Sequence, residues 1–161
     1  MNHEERGIPT ITRSRLLATL PEGHGERLLG LAREVTFPAG SRVFHEGGKA
    51  DRFWILRSGM VALEAHVPGR RDQVIETLGR GELLGWSWLL EPYAWHLGAR
   101  AVNRTHAYEF DAAEVRRLCA RDPVLGQALA LHVVGVVARR LQAARTRLLD
   151  LYGPSGTAGA G

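Results

Sequence analysis

Gly85, Trp86, Ser87, Trp88, Trp95, His96 and Arg100 crowd into sixteen residues, GWSWLLEPYAWHLGAR. Three of the chain's four tryptophans fall in that stretch. Each indole offers a flat apolar face and one N–H, so the set can line a pocket that stacks on a flat or heterocyclic ligand. Ser87, His96 and Arg100 would supply its polar contacts. The same bulk can instead fill the pocket and leave it collapsed, and residue types alone leave both readings open. Arg100 has a plainer alternative, as an outward-facing strand residue paired with an acid.

Groups for covalent chemistry do not assemble. No GxSxG, HExxH or phosphate-loop motif occurs, and no pair of catalytic carboxylates stands out. The seven histidines show no paired ligand spacing. Cys119 is the only cysteine, which excludes an intrachain disulfide and the four-cysteine zinc or iron–sulfur sets. The expectation is a protein that is not an enzyme, with no catalytic residues and no metal.

At 161 residues, 45% apolar and 24% charged, the chain is the size and composition of one soluble domain. Its 21 basic and 17 acidic residues leave a formal charge of +4, too weak a field to indicate nucleic-acid binding. The doublets Arg70-Arg71, Arg116-Arg117 and Arg139-Arg140 read as solvated faces. The N-terminus has no apolar signal core, and no uncharged apolar run reaches about 18 residues. With the lone cysteine, this places the expected protein in a reducing cytoplasm, with no membrane segment.

Residues 1–13 read as a flexible arm, 14–152 as one domain and 153–161 as a flexible, small-residue tail. From Ser14, SRLLATLPEGHGERLLGLAREV has apolar pairs at helical spacing, broken by Pro21 and Gly23, which predicts two short helices. Leu16, Leu17, Leu20, Leu28, Leu29 and Leu31 would pack inward. After Val35 the period falls to about two, in RVFH, RFWIL, MVALEAHV, QVIETL and THAYEF, separated by glycine turns. That pattern predicts an antiparallel barrel or jelly roll. Asp111 and Glu114 form a capping-box-like start to a short helix, and Asp122-Pro123 opens a long one. Along the long helix Val134, Val137, Leu141, Ala144, Leu148 and Leu151 repeat at spacings of three and four, forming a seam.

In chain order, FPAGSRVFHEGGKADRFWILRSGMVAL, LGRGELLG and ARAVNRTHAYEFDAAEVRRLCARDPVLG resemble parts of one known domain. They are similar to the opening strands, the entry to the phosphate cassette, and the following strand and helix of the cyclic-nucleotide-binding domain of the Crp/Fnr superfamily. The resemblance spans about Leu16 to Tyr152. It implies an α+β fold: an antiparallel, jelly-roll-like β-roll flanked by short N-terminal helices and a long C-terminal helix.

The resemblance also implies a short cassette helix starting at Gly85, its amides facing a cyclic phosphate. Two contact positions depart from the family. The ribose-binding glutamate position holds Trp86, and Glu82, three residues upstream of Gly85 in the preceding turn, is no substitute. The phosphate-pairing arginine position falls at or near Trp95. An indole has neither charge nor a two-pronged donor, so losing even one such contact weakens binding roughly tenfold or more. The implied ligand is a cyclic nucleotide with altered or lost affinity, or another small flat or anionic molecule.

The expected function is a non-catalytic regulatory or sensory module that forms a homodimer along the Val134–Leu151 seam, because family members pair along this helix. The spacing equally allows the seam to pack on the chain's own roll. The alternative function is a structural or adaptor subunit of a larger complex, such as a redox enzyme, with an occluded pocket. Nine residues follow Tyr152, too few for a helix-turn-helix domain, so sequence-specific DNA binding is not expected.

Overall fold

The computed structural model describes residues 15–153; the expected arm at 1–13 and residues 154–161 of the expected tail lie outside them. Two short helices open the chain, α1 (Arg15–Thr19) and α2 (His24–Leu29). Leu16, Leu20 and Leu28 are buried, while Leu17, Leu29 and Leu31 pack partly buried against the core. The helical spacing in the sequence runs on to Val35, but α2 stops at Leu29, and the N–H of Gly30 bonds back to Glu26 and Leu28. Arg33–Phe37 is instead strand β1. Its backbone pairs along β8 (Thr105–Asp111), and those ladder bonds override a local pattern that also fits a helix.

The roll is two four-stranded antiparallel sheets. The first is ordered β1, β8, β3 (Arg52–Ser58) and β6 (Leu83–Leu84). The second is ordered β2 (Arg42–Phe44), β7 (Gly98–Ala101), β4 (Val61–Ala65) and β5 (Gln73–Leu78). The turn from β3 to β4 requires glycine: Gly59 has φ +88°, and an added Cβ would lie 2.5 Å from Thr105 Oγ1. Phe53 stacks between Phe110 and Trp88, with centroids 4.8 Å and 4.2 Å away. Dispersion contacts and removal of these aromatic faces from water hold the layer together.

Helix α3 (Ala112–Arg121) starts as its capping pattern predicts, the Asp111 carboxylate accepting the Glu114 N–H at 3.0 Å. Helix α4 (Pro123–Tyr152) then runs for 30 residues. Its buried stripe is Leu125, Leu129, Val133 and Val136, which closes the roll. Continued at the same spacing, that stripe meets Arg140, Ala143 and Arg147, and from Leu141 to Tyr152 every side chain is exposed. By length and composition α4 could also cross a membrane, but its apolar first half is the part that packs on the roll. The seam lies beside the buried stripe: Val134, Leu141, Leu148 and Leu151 are exposed, and Val137 is half-buried.

The joint between α3 and α4 is fixed by one carboxylate. Asp122 accepts the Leu125 N–H at 3.2 Å, His24 Nδ1 lies 2.6 Å from it, and Arg27 donates at 3.1 Å. Burial pushes the Asp122 carboxyl up, but the hydrogen bonds from His24 and Leu125 and the charges of His24 and Arg27 outweigh burial and hold its pKa below 3.8. A depressed carboxylate pKa stabilises the fold above the unfolded value and loses that contribution as pH falls through the folded value. Asp122→Asn should therefore lower the thermal midpoint at pH 7, and the gap from the wild type should narrow as pH drops below 3.8. Equal gaps at both ends of that titration would show that the charge is not what matters.

Candidate ligand groove

Between the second sheet and the C-terminal half of α4 lies an open groove of about 630 Å³. One wall is α4 from Val137 to Leu151; the other comes from Phe44, Leu63, Ile75 and the loop after β6. Its existence follows from the helix stripe. Along the continuation of that stripe Leu and Val give way to Arg140, Ala143 and Arg147, and Leu141 and Leu148 beside them line the groove without closing it.

Of the sequence candidates, Gly85, Trp86, Ser87, Trp95 and His96 line this groove. Trp86 is half-buried and stacks on His96, centroids 5.0 Å apart at 16°. Ser87 Oγ lies 3.0 Å from His96 Nδ1. Trp95 is buried, stacked on Phe44 at 4.0 Å and tilted toward Trp54 at 6.1 Å. Its six-membered ring sits over Gly85, where φ is +92° and an added Cβ would be 2.8 Å from the ring. Trp86 thus lines open space, whereas Trp95 fills it.

Trp88 and Arg100 lie elsewhere. Trp88 is fully buried against Phe53. Alternation along β7 buries Ala99 and Ala101 and sends Arg100 to the other face. There Arg100 lies 3.4 Å from Glu64 and donates to the Gly40 carbonyl at 3.0 Å. The cassette also has no short helix: residues 87–92 form turns and bends, with a Leu89 N–H bond to the Trp86 carbonyl at 3.2 Å. Glu82, as its position predicts, caps the preceding turn by accepting the Gly79 N–H at 2.6 Å.

Two arginines read from sequence as solvated are structural. Arg140 is only 18% exposed in its side chain and lies 2.9 Å from Glu76 of β5. Burial lowers its pKa, and the Glu76 charge partly restores it. Arg116 donates to the Trp88 carbonyl at 2.6 Å and stacks over the Tyr93 ring at 4.3 Å, fastening the tryptophan-rich loop to α3. The signal for Arg140 was present in the sequence, as the continuation of the Leu125–Val136 stripe. The doublet with Arg139 obscured it. Burial, then the Asp122 charge, pushes the Cys119 thiol up, away from the reactive thiolate form. Among the described residues no cluster of His, Cys, Asp and Glu could hold a metal.

Residues 34–122 match the family model of the cyclic nucleotide-binding domain. The chain belongs to that family. Among curated members, a CRP-like cAMP-activated global transcriptional regulator of Mycobacterium tuberculosis is 29% identical over 117 residues, 73% of this chain and 50% of the relative. The chain spans about half the length of the curated relatives it matches. The Thermus thermophilus catabolite activator protein superposes with a TM-score of 0.69 at 26% identity, over 85% of this chain and 62% of that one. A cyclic nucleotide-binding domain from Methylobacillus flagellatus gives 0.76 at 16% identity, over 94% and 84%, and shows the fold. Within this family fold, Gly85 is the position where backbone and indole meet. Gly85→Ala should destabilise the protein by about 1–3 kcal/mol in urea unfolding, through left-handed strain and overpacking on Trp95. An unchanged midpoint would contradict the close approach.

Proposed function

We propose that the protein is a non-catalytic sensory module of the cyclic nucleotide-binding type whose groove does not take cyclic AMP or cyclic GMP in the family manner. The observation that carries this reading is Trp95, whose ring occupies the space over Gly85. By the family resemblance a phosphate-pairing arginine belongs near that position. Trp86 stands where a ribose-binding glutamate is implied, and Arg100, the nearest cation in sequence, is engaged with Glu64 on the far face. An adaptor with an occluded pocket would need the remaining groove to be filled, and its open volume favours ligand sensing. Calorimetry of the intact protein should give no saturable heat with either cyclic nucleotide at millimolar concentration, whereas saturation in the micromolar range would overturn the reading.

The output surface in this proposal is a homodimer along α4. Leu141 is 70% exposed, Leu148 56% and Leu151 80%, more apolar surface on one helix flank than water favours. Sedimentation equilibrium should give a dimer for the intact chain and a monomer for Leu141→Asp. A monomer in both cases removes the dimer.

A further inference from the structure

The seam read from the sequence divides in the structure. Val137, Ala144 and Leu151 line the groove, while Leu141 and Leu148 belong both to the groove and to a second set on the exposed flank of α4. That set advances by alternating steps of three and four along the whole helix. Its large apolar members are Val124, Leu131, Val134, Leu141, Leu148 and Tyr152, with Ala138 between them, and all are exposed. Leu131 is 64% exposed and Val134 63%, although both belong to the half of α4 that packs on the roll. Gln127 and Arg145 are the two polar members. The flank is about 42 Å long at 1.5 Å per residue. Its six large apolar side chains leave on the order of 600 Å² in water on each copy, so a pair would remove about 1,200 Å², the size of a specific protein interface.

We propose that two copies pair in parallel along this flank and that the two Arg145 guanidiniums, one from each copy, hold a multiply charged phosphate anion between them. This rests on the reading of α4 as the dimer surface. In-register parallel pairing sets Leu131, Val134, Leu141 and Leu148 each against its own counterpart and keeps the polar positions, Gln127 and Arg145, together. An antiparallel pair centred on Ala138 would instead set Arg145 against Leu131 and Gln127 against Leu149, burying polar groups against leucine. Parallel pairing brings two like charges into one seam, which weakens the dimer until an anion lies between them. The helix has no acid placed to do this. Its one carboxylate, Asp150, is five residues on from Arg145, about 140° around the helix, and Glu76 is taken by Arg140. Arg139 and Arg147 likewise have no acidic partner among the described residues, so positive potential gathers at this end of the pair. A phosphate accepts two charge-assisted N–H bonds from a guanidinium on either side. Each copy supplies only half of this site, and the flank of α4 that carries Arg140 and lines the groove stays outside the seam.

The test is sedimentation equilibrium of the intact protein in pyrophosphate and in sodium chloride of matched ionic strength. Pyrophosphate should tighten the dimer about tenfold over chloride. Arg145→Leu should dimerise more tightly than the wild type in chloride and show no response to pyrophosphate. Tyr152→Cys, made together with Cys119→Ser, should form an interchain disulfide with oxidised glutathione, because parallel pairing sets the two copies of residue 152 side by side. Arg145 and Tyr152 are exposed, and the thermal midpoint of each variant reports folding directly. A wild-type dimer that ignores pyrophosphate, an Arg145→Leu variant that keeps the wild-type response, or no disulfide at residue 152 would each overturn the proposal and leave the dimer reading in place. A monomer under every condition overturns both.

Discussion

Gly85 and Trp95 meet at a contact that only a residue without a Cβ permits, with the glycine backbone in the left-handed region. Much else depends on that contact. The indole can lie flat on Phe44, and Phe44 in turn stacks on Trp54 at 5.6 Å, so three aromatic rings join the two sheets through the middle of the roll. The loop that supplies Trp86 and Ser87 to the groove is thereby held down at its start. A larger side chain at position 85 would lift the loop, open the stack and change the groove together.

The second constraint is a change of residue type along one stripe of α4. While the stripe is Leu125, Leu129, Val133 and Val136, helix and roll form one core. When it becomes Arg140, Ala143 and Arg147, the helix continues because its own hydrogen bonds sustain it, but contact with the roll narrows to the Arg140–Glu76 ion pair. Short and charged side chains where a core would want leucine thus produce a groove without any kink in the helix. The tryptophan-rich loop lines this groove, and at two positions for which the family resemblance implies a glutamate and an arginine it brings Trp86 and Trp95.

Strand alternation, glycine turns and the Asp111 and Asp122 caps made the roll and both C-terminal helices legible in the sequence. These signals are local, and the structure uses them locally. Arg33–Phe37 was less legible, since its extended form is decided by pairing with Thr105–Asp111, more than sixty residues distant. The candidate site was legible in part. The tryptophan cluster marked a loop that lines the groove, yet sequence could not assign Trp86 to the groove wall, Trp95 to filling and Trp88 to the core, because that depends on which ring a second sheet meets. Arg140 and Glu76 were hidden more deeply, each ordinary in its own segment and joined only by the docking of α4 on β5.

Arg116 gives the tryptophan-rich loop a mechanical tie. Its guanidinium grips the Trp88 carbonyl and covers Tyr93, while the far end of the same short helix leads into the Asp122 joint at the root of α4. The loop and the long helix are therefore coupled like two arms on one rocker. Displacing Trp88 would break that charge-assisted bond or carry α3 with it, and α3 ends at the joint from which the thirty-residue α4 begins. A rotation of a few degrees at that pivot grows with distance and is largest at Leu148 to Tyr152, where the helix has no packing of its own to resist it.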